Sequence, residues 1–470
     1  MADFDKMGMR FFGVILLAGV LCSAWAMAAE PVPQPLSMYR AVALAAANNR
    51  LVREAIQNGR AAEAAYRSAR ADLFAKASAG YSYTRFKEQP YMWVEGYTVD
   101  TNLGTITGLR NYQKTTSDKD LVEWNLTLTQ PLFTGFALTT RLKMAELGMK
   151  SSQVEETIAV QDVVKQAKLA VINVLLAEKL LTVAVETEKS IAAHARNAEN
   201  FYDQGLIPYN DQLQANVALA DAIQQRVAQA ARREMAVATL NSVLDLPIGH
   251  PTRVAELAEG PVAAPDDPEM LMDLAIRRRP ELKALDLGRQ KLVQGRVLAR
   301  SAYYPTINLV GQYRQKGEDW AATDNSYDNP HNALVGVQAE WTFFEWGKTR
   351  SEEARVRHEI EALDEKINGV KQALRLETKD AFIRLQVARE NVRTANAALD
   401  QARENLRIVN TRYAQQMATS TDVLDANTKQ TRARANYFGA VYGCHSALAE
   451  LERAVGQPLT ADLSGTVQQP

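Results

Sequence analysis

Four stretches of the chain alternate apolar and polar residues with period two. In "EWNLTLTQ" (123–130), Trp124, Leu126 and Leu128 alternate with Asn125, Thr127 and Thr129. In "VGVQAEWTF" (335–343), Val335, Val337, Ala339, Trp341 and Phe343 alternate with Gly336, Gln338, Glu340 and Thr342. "TINLVGQY" (306–313) sets Ile307 and Leu309 against Thr306 and Asn308, and "AGYSYTR" (79–85) puts Tyr81 and Tyr83 on one face. Strands of this kind carry one apolar, aromatic face and one polar face. The remaining chain is dominated by helix formers. Residues 137–200 and 348–412 hold no proline and one glycine each, Gly148 and Gly369. In the first of them Val164, Ala167, Val171, Val174, Leu181 and Val185 recur at three- and four-residue spacing, interrupted by Glu178. Each such helix is a rod of roughly 100 Å at 1.5 Å per residue. A rod that long and only partly apolar needs coiled-coil partners along its length.

The chain is one unit written twice. Phe133 matches Phe344, Tyr202 matches Tyr413, Asp211 matches Asp422, Leu213 matches Leu424, Ala215 matches Ala426 and Pro247 matches Pro458, each pair 211 apart. Upstream the offset becomes 230, with Leu44-Ala45 opposite Leu274-Ala275 and Tyr83 opposite Tyr313, so the first copy carries about 19 extra residues between its strands. The halves run over 37–250 and 267–461, joined by a Pro-rich, acidic linker at 251–266 and followed by a tail at 462–470. Each half predicts a helix (39–76; 269–302), a strand pair (78–131; 306–343) flanking a long polar loop (86–120; 314–333), a long helix (137–201; 348–412), a short break, and a shorter helix (209–244; 420–455). The fold class is α+β, internally duplicated.

The N-terminal "MRFFGVILLAGVLCSAWAMAAEP" has Arg10 before the apolar run Phe11–Leu21 and then Ala26-Met27-Ala28, the pattern of a secretory signal peptide over 1–28. Leu21 before Cys22 is too large for a lipoprotein signal. Cleavage leaves Cys444 as the one cysteine, which excludes an intramolecular disulfide. No later segment offers about 18 uncharged apolar residues in a row, so the exported chain is either free of the membrane or crosses it as a β-barrel. Four strands cannot close a barrel alone. Their two open edges would expose backbone groups to lipid at several kcal/mol each, so closure has to come from further copies, and three chains would supply twelve strands.

Composition removes other classes. The formal net charge of −1 leaves no basic excess for nucleic acid. The five histidines never fall at metal-ligand spacing. "GKT" at 347–349 lacks the glycine of a phosphate loop, since Thr342 stands there. No catalytic motif, cofactor motif or metal motif is present, and the sequence predicts no enzyme.

With the duplication, "QPLFTG" (130–135), "WTFFEWGK" (341–348), "YDQGLIPYNDQLQA" (202–215) and "YAQQMATSTDVLDA" (413–426) in order, residues 37–461 resemble the TolC-type outer-membrane channels, the outer-membrane efflux protein family. The resemblance implies a homotrimer in the outer membrane, reaching into the periplasm. Its long helices would form a coiled-coil barrel, joined to an intermolecular twelve-stranded transmembrane β-barrel that faces outer-membrane lipid. It implies a passive exit duct of a tripartite efflux or type I secretion system, docking to a periplasmic adaptor and an inner-membrane pump of RND, MFS or ABC type. The two helix breaks become the periplasmic tips. Asp422, Asp425 and Asp211 match the aspartates of the periplasmic constriction, and Tyr413 matches the tip tyrosine of the gate. Gly205 matches the tip glycine of adaptor docking, beside Leu206, while Gln416 stands where the second such glycine is expected. Ala418 replaces a latching arginine. Six carboxylates near one axis would raise the pKa of some of them and attract cations. Apart from the resemblance, Thr419-x-x-Asp422 fits a capping box. A rival reading is a soluble periplasmic coiled-coil adaptor or scaffold, which would not need the alternating strands.

Overall fold

The computed structural model describes residues 35–108, 111–257, 265–326 and 329–459. The signal peptide and the C-terminal tail lie outside the described residues, as does much of the linker. The first half runs α1 (Met38–Asn48), α2 (Arg50–Ala71), β1 (Lys76–Arg85), β2 (Tyr91–Val94), β3 (Thr98–Thr101), β4 (Gly104–Thr107), β5 (Tyr112–Thr115), β6 (Asp120–Thr134), α3 (Ala137–Asp203) and α4 (Tyr209–Val243). The second runs α5 (Pro268–Arg278), α6 (Pro280–Arg300), β7 (Thr306–Gly317), β8 (His331–Glu340), α7 (Lys348–Ala414) and α8 (Ser420–Val455).

Each expected first helix is in fact two. Asn49 leaves helical geometry and its side chain accepts from the Leu51 amide, so it caps α2. Pro280 forces Arg279 into an extended conformation and starts α6. The stretch 86–120 is not a plain loop either. β2 pairs with β5 and β3 with β4, making a nested antiparallel ribbon. Trp341 and Phe343 fall just outside β8. The ladder ends at the pair Thr306–Glu340 because the next residue on β7 is Pro305, which has no N–H to donate.

α3 and α7 are 67 residues each, about 100 Å long. Over one part of its length α3 packs on α1, α2 and α6, and over the rest on α4 and α8; α7 packs on α5, α6 and α8. The core is accordingly split along the rod. Val171, Leu175, Leu240 and Leu244 form one cluster, Leu385, Leu448 and Leu451 a second, Leu147, Val154 and Leu287 a third, and Ala195, Ala198 and Ala215 a fourth near the end of α3. The buried stripe of α3 drifts from the sequence reading. Val183 and Ala184 are buried while Val185 is exposed, because a 3.6-residue turn slips against a seven-residue repeat. Glu178, the interruption, pairs with Arg233 on α4 at 3.1 Å.

Midway along the rod the two halves are tied by charge. Lys168 of α3 meets Glu452 of α8 at 2.5 Å with both side chains under one-tenth exposed. Arg453 binds Asp162 and Glu281, each at 2.7 Å. Arg279 donates to the Arg453 carbonyl at 2.7 Å and pairs with Glu377. The first-half counterparts of Arg279 and Glu452 are neutral, Asn49 and Asn241. Asn49 donates to the Val243 carbonyl at 2.8 Å, and Asn241 donates to the carbonyls of Ile248 and His250 and accepts from Thr252.

The main sheet is antiparallel in the order β1-β6-β7-β8, which among the described residues leaves β1 and β8 as free edges. Its register puts Tyr81 beside Trp124 and Leu126 beside Tyr313, then Leu309 beside Val337. Opposed residues share a face, so apolar side chains from all four strands line one face. Thr127, Glu123, Gln312, Arg314 and Gln338 line the other. Tyr81, Leu126, Leu128, Val335 and Val337 stay exposed in the single chain.

Both strand-to-helix junctions need two successive left-handed residues, Gly135-Phe136 and Trp346-Gly347. The glycine occupies the first position in one copy and the second in the other. At Gly135 a Cβ would sit 2.5 Å from the Ser301 carbonyl oxygen, so no larger residue fits there without backbone movement. Phe136 packs edge-on against Phe133 and Tyr304, and Trp341 donates to the Tyr303 carbonyl. Aromatic side chains thus cluster at the base of the sheet.

Candidate functional site

The tips are two helix reversals built by the same backbone device. At the end of α3 the Gly205 amide bonds the Tyr202 carbonyl and the Leu206 amide bonds the Phe201 carbonyl, both at 2.8 Å. At the end of α7 the Gln416 amide bonds Tyr413 and the Met417 amide bonds Arg412. Both are Schellman caps, which need a left-handed residue at the turning point. Gly205 has φ +72° and Gln416 φ +60°. Gly205 is therefore explained by backbone geometry, whatever else touches it. Gln416 adopts the same conformation against its side chain, which costs an L-residue roughly 1–2 kcal/mol. We expect Gln416→Gly to slow amide exchange at Met417 and to stabilise the α7–α8 turn by up to about 1 kcal/mol. Gly205→Ala should do the reverse at the α3–α4 turn.

α8 begins with a full capping box. The Asp422 amide donates to Thr419 Oγ1 at 3.2 Å, while Asp422 Oδ2 accepts from the Thr419 amide at 2.9 Å and its hydroxyl at 2.8 Å. These donors, with Arg412 beyond them, hold the Asp422 carboxyl below its ordinary 3.8. Within one chain this is opposite to the rise expected from crowded carboxylates. The cause is local hydrogen bonding to the charged form. Asp422 and Asp425 are both exposed, and Asp211 is half-buried.

Tyr413 is buried at 6% exposure, with its ring 5.5 Å from Phe201 and 4.9 Å from His194. Its hydroxyl has no hydrogen-bond partner among the described residues. Burial, with the nearby Asp211 charge, pushes its pKa up. Sequence reasoning missed His194, Phe201 and Ser420, which complete this cluster. The available signal was the continued seven-residue spacing: Ile191, His194 and Ala198 prolong the buried seam of α3, and the half-buried Phe201 follows at the same spacing. Leu206, Tyr209 and Met417 project into solvent at the tips, and Thr421 reaches Gln214 of α4 at 3.2 Å. Among the described residues no cluster of His, Cys, Asp or Glu is arranged to hold a metal, and no helix is long and apolar enough to cross a membrane.

Two paired helical rods that carry an amphipathic four-stranded sheet at one end and tight reversals at the other define a helical-tunnel channel protein with a β-domain. The sequence model described as Outer membrane efflux protein matches residues 41–245 and 271–457. The chain belongs to that family. It is an outer-membrane efflux channel reaching into the periplasm, a passive conduit rather than an enzyme. Among solved structures, CusC is 16% identical, with 89% of this chain and 92% of that one covered at a TM-score of 0.72. A membrane protein from Pseudomonas aeruginosa is 18% identical, with 91% and 92% covered at 0.72. The CmeC outer membrane channel of Campylobacter jejuni is 15% identical, with 91% and 87% covered at 0.73. At these identities the likeness is one of fold. No curated protein matches the sequence.

Proposed function

We propose that three copies of this chain form one exit duct, whose tips close it at the periplasmic end and dock it to an adaptor and an inner-membrane pump. The observation that carries the reading is the sheet. Its edges β1 and β8 are free and one face is apolar, a combination stable in lipid only after closure with other copies. Three copies give twelve strands, within the range of such barrels. In this trimer Asp422 and Asp425 line the periplasmic constriction with Asp211 behind them, and Tyr413 holds the closed tip. Gly205, Leu206 and Gln416 face the adaptor, Leu206 and Met417 offering the apolar contact. The pump class, RND, MFS or ABC, and with it the cargo, is set by those partners. The soluble-scaffold reading loses its ground to family membership and to the amphipathic sheet.

A photocrosslinking residue at position 206 in living cells tests the docking. The expected product is a covalent adduct with a periplasmic adaptor, identified by mass spectrometry. A well-expressed protein giving no periplasmic adduct would remove the docking assignment.

A further inference from the structure

α3 and α8 meet near the tip along a ladder of uncharged polar side chains, which begins next to an ion pair between Glu186 of α3 and Arg434 of α8. Thr187 and Thr431 share a hydrogen bond at 2.9 Å. One turn further on Ser190 donates to Asn427 Oδ1 at 2.9 Å. The last rung is His194 Nε2 against Ser420 Oγ at 2.8 Å. His194 is 5% exposed and Ser420 fully buried. The first two rungs are neutral at every pH, and the third alone can take up a proton in the physiological range. It is also the rung nearest the reversal, packed on the Tyr413 ring.

The surroundings of His194 are hostile to charge. Ser420 is the first residue of α8, so the imidazole sits at the positive end of that helix. Tyr413 of α7 packs on the ring; Asp211 of α4 bears on Tyr413, and Asp422, two residues after Ser420 on α8, is turned to Thr419. Neither carboxylate bonds the ring among the described residues. Burial holds the imidazole below its ordinary 6.5. The packed tip therefore binds fewer protons than a loosened one. Its stability is full above about 6.5 and falls as pH drops through that value toward the depressed pKa of the packed state.

We propose that His194 is an acid-sensitive latch: its protonation weakens the α3–α8 seam beside Tyr413 and loosens the tip. The inference rests on the reading of the tip as the closing end of the duct. Each pH unit by which packing depresses the imidazole converts, on full protonation, into about a tenfold shift toward the loosened form.

The test is hydrogen–deuterium exchange of the full-length assembled protein in detergent, at pH about 7.5 and about 5, with times rescaled for intrinsic exchange. Peptides covering 187–208 and 413–431 are expected to lose protection at the lower pH, by up to about tenfold for each unit of that depression, with no matching loss in the main sheet. His194→Gln keeps a hydrogen-bonding side chain and cannot titrate in this range; its tip should exchange alike at both pH values. Asn427→Ala removes a neutral rung and should lower protection while leaving the acid response in place. A wild-type tip indifferent to pH, or a response undiminished in His194→Gln, overturns the proposal. Conductance of the same proteins separates the two readings. Acid loosening without a change in conductance supports the latch and sinks the gate.

Discussion

Asp422→Asn together with Asp425→Asn is expected to bring the cation-to-anion permeability ratio of the channel close to one and to abolish block by multivalent cations from the tip side. Both carboxylates are exposed on the first turns of α8. In the proposed trimer, three copies around one axis would place six of them at the narrow end. Carboxylates gathered at a narrow mouth attract cations, and a ring smaller than the Debye length of about 8 Å acts on a passing ion as a unit. Asn is close in size and keeps an acceptor for the Thr419 amide and hydroxyl, so the cap is largely retained. The helix begins where it did, and the loss is one of charge. The pH dependence carries a sign as well. The Asp422 carboxyl is held below 3.8 by Thr419. Its contribution to the cap is complete above that value and is lost as pH falls through the lowered one. Planar-bilayer recordings that found unchanged selectivity and unchanged block would remove these residues from the constriction.

The second large effect concerns stability. Glu452→Ala leaves the Lys168 ammonium buried without its partner and removes the acceptor of the Leu459 amide. Breaking one side of a buried pair costs about 3–5 kcal/mol. Lys168→Met with Glu452→Leu takes both charges out of the same volume and should lie close to wild type. Urea unfolding of the helical region in detergent distinguishes the pair of outcomes. If Glu452→Ala unfolds with wild type, the pair carries no structural weight. If the double substitution unfolds as early as the single one, the pair does more than satisfy itself. Glu452 and Arg279 of the second half have neutral counterparts in the first, Asn241 and Asn49, which need no such charge balance.

The long helices were legible because their signals are long-range and redundant: 64 or more residues without proline, and repeats in register over a hundred positions. The strand faces were legible because period two survives in lipid-facing strands. The breaks at Asn49 and Arg279 were harder to see, since a single cap or a single proline must outweigh thirty helix-forming neighbours. The hairpins inside 86–120 were hidden by polar composition. In that ribbon backbone pairing, rather than a buried face, fixes the strands. At the tips, Asp422 was recognisable as a cap from Thr419 three residues earlier, and Gly205 from its place after α3. The His194–Ser420 contact joins residues 226 apart, and nothing in either local pattern pairs them. Gln416 shows the limit from the other side. The sequence marks a missing glycine, and only the backbone reveals that the left-handed turn is kept regardless.

In the proposed duct the free edges of the sheet, β1 and β8, are joined between copies. Cysteines placed on β1 at Ser78 or Ser82 and on β8 at Asn332 or Gln338, oxidised in intact outer membranes, test it directly. Cys444 is buried and does not compete. The expected product is a disulfide ladder that ends at three chains and runs as one heat-modifiable species. A chain that closes on itself, a ladder that passes three, or no bridge from any β1–β8 combination would contradict the account.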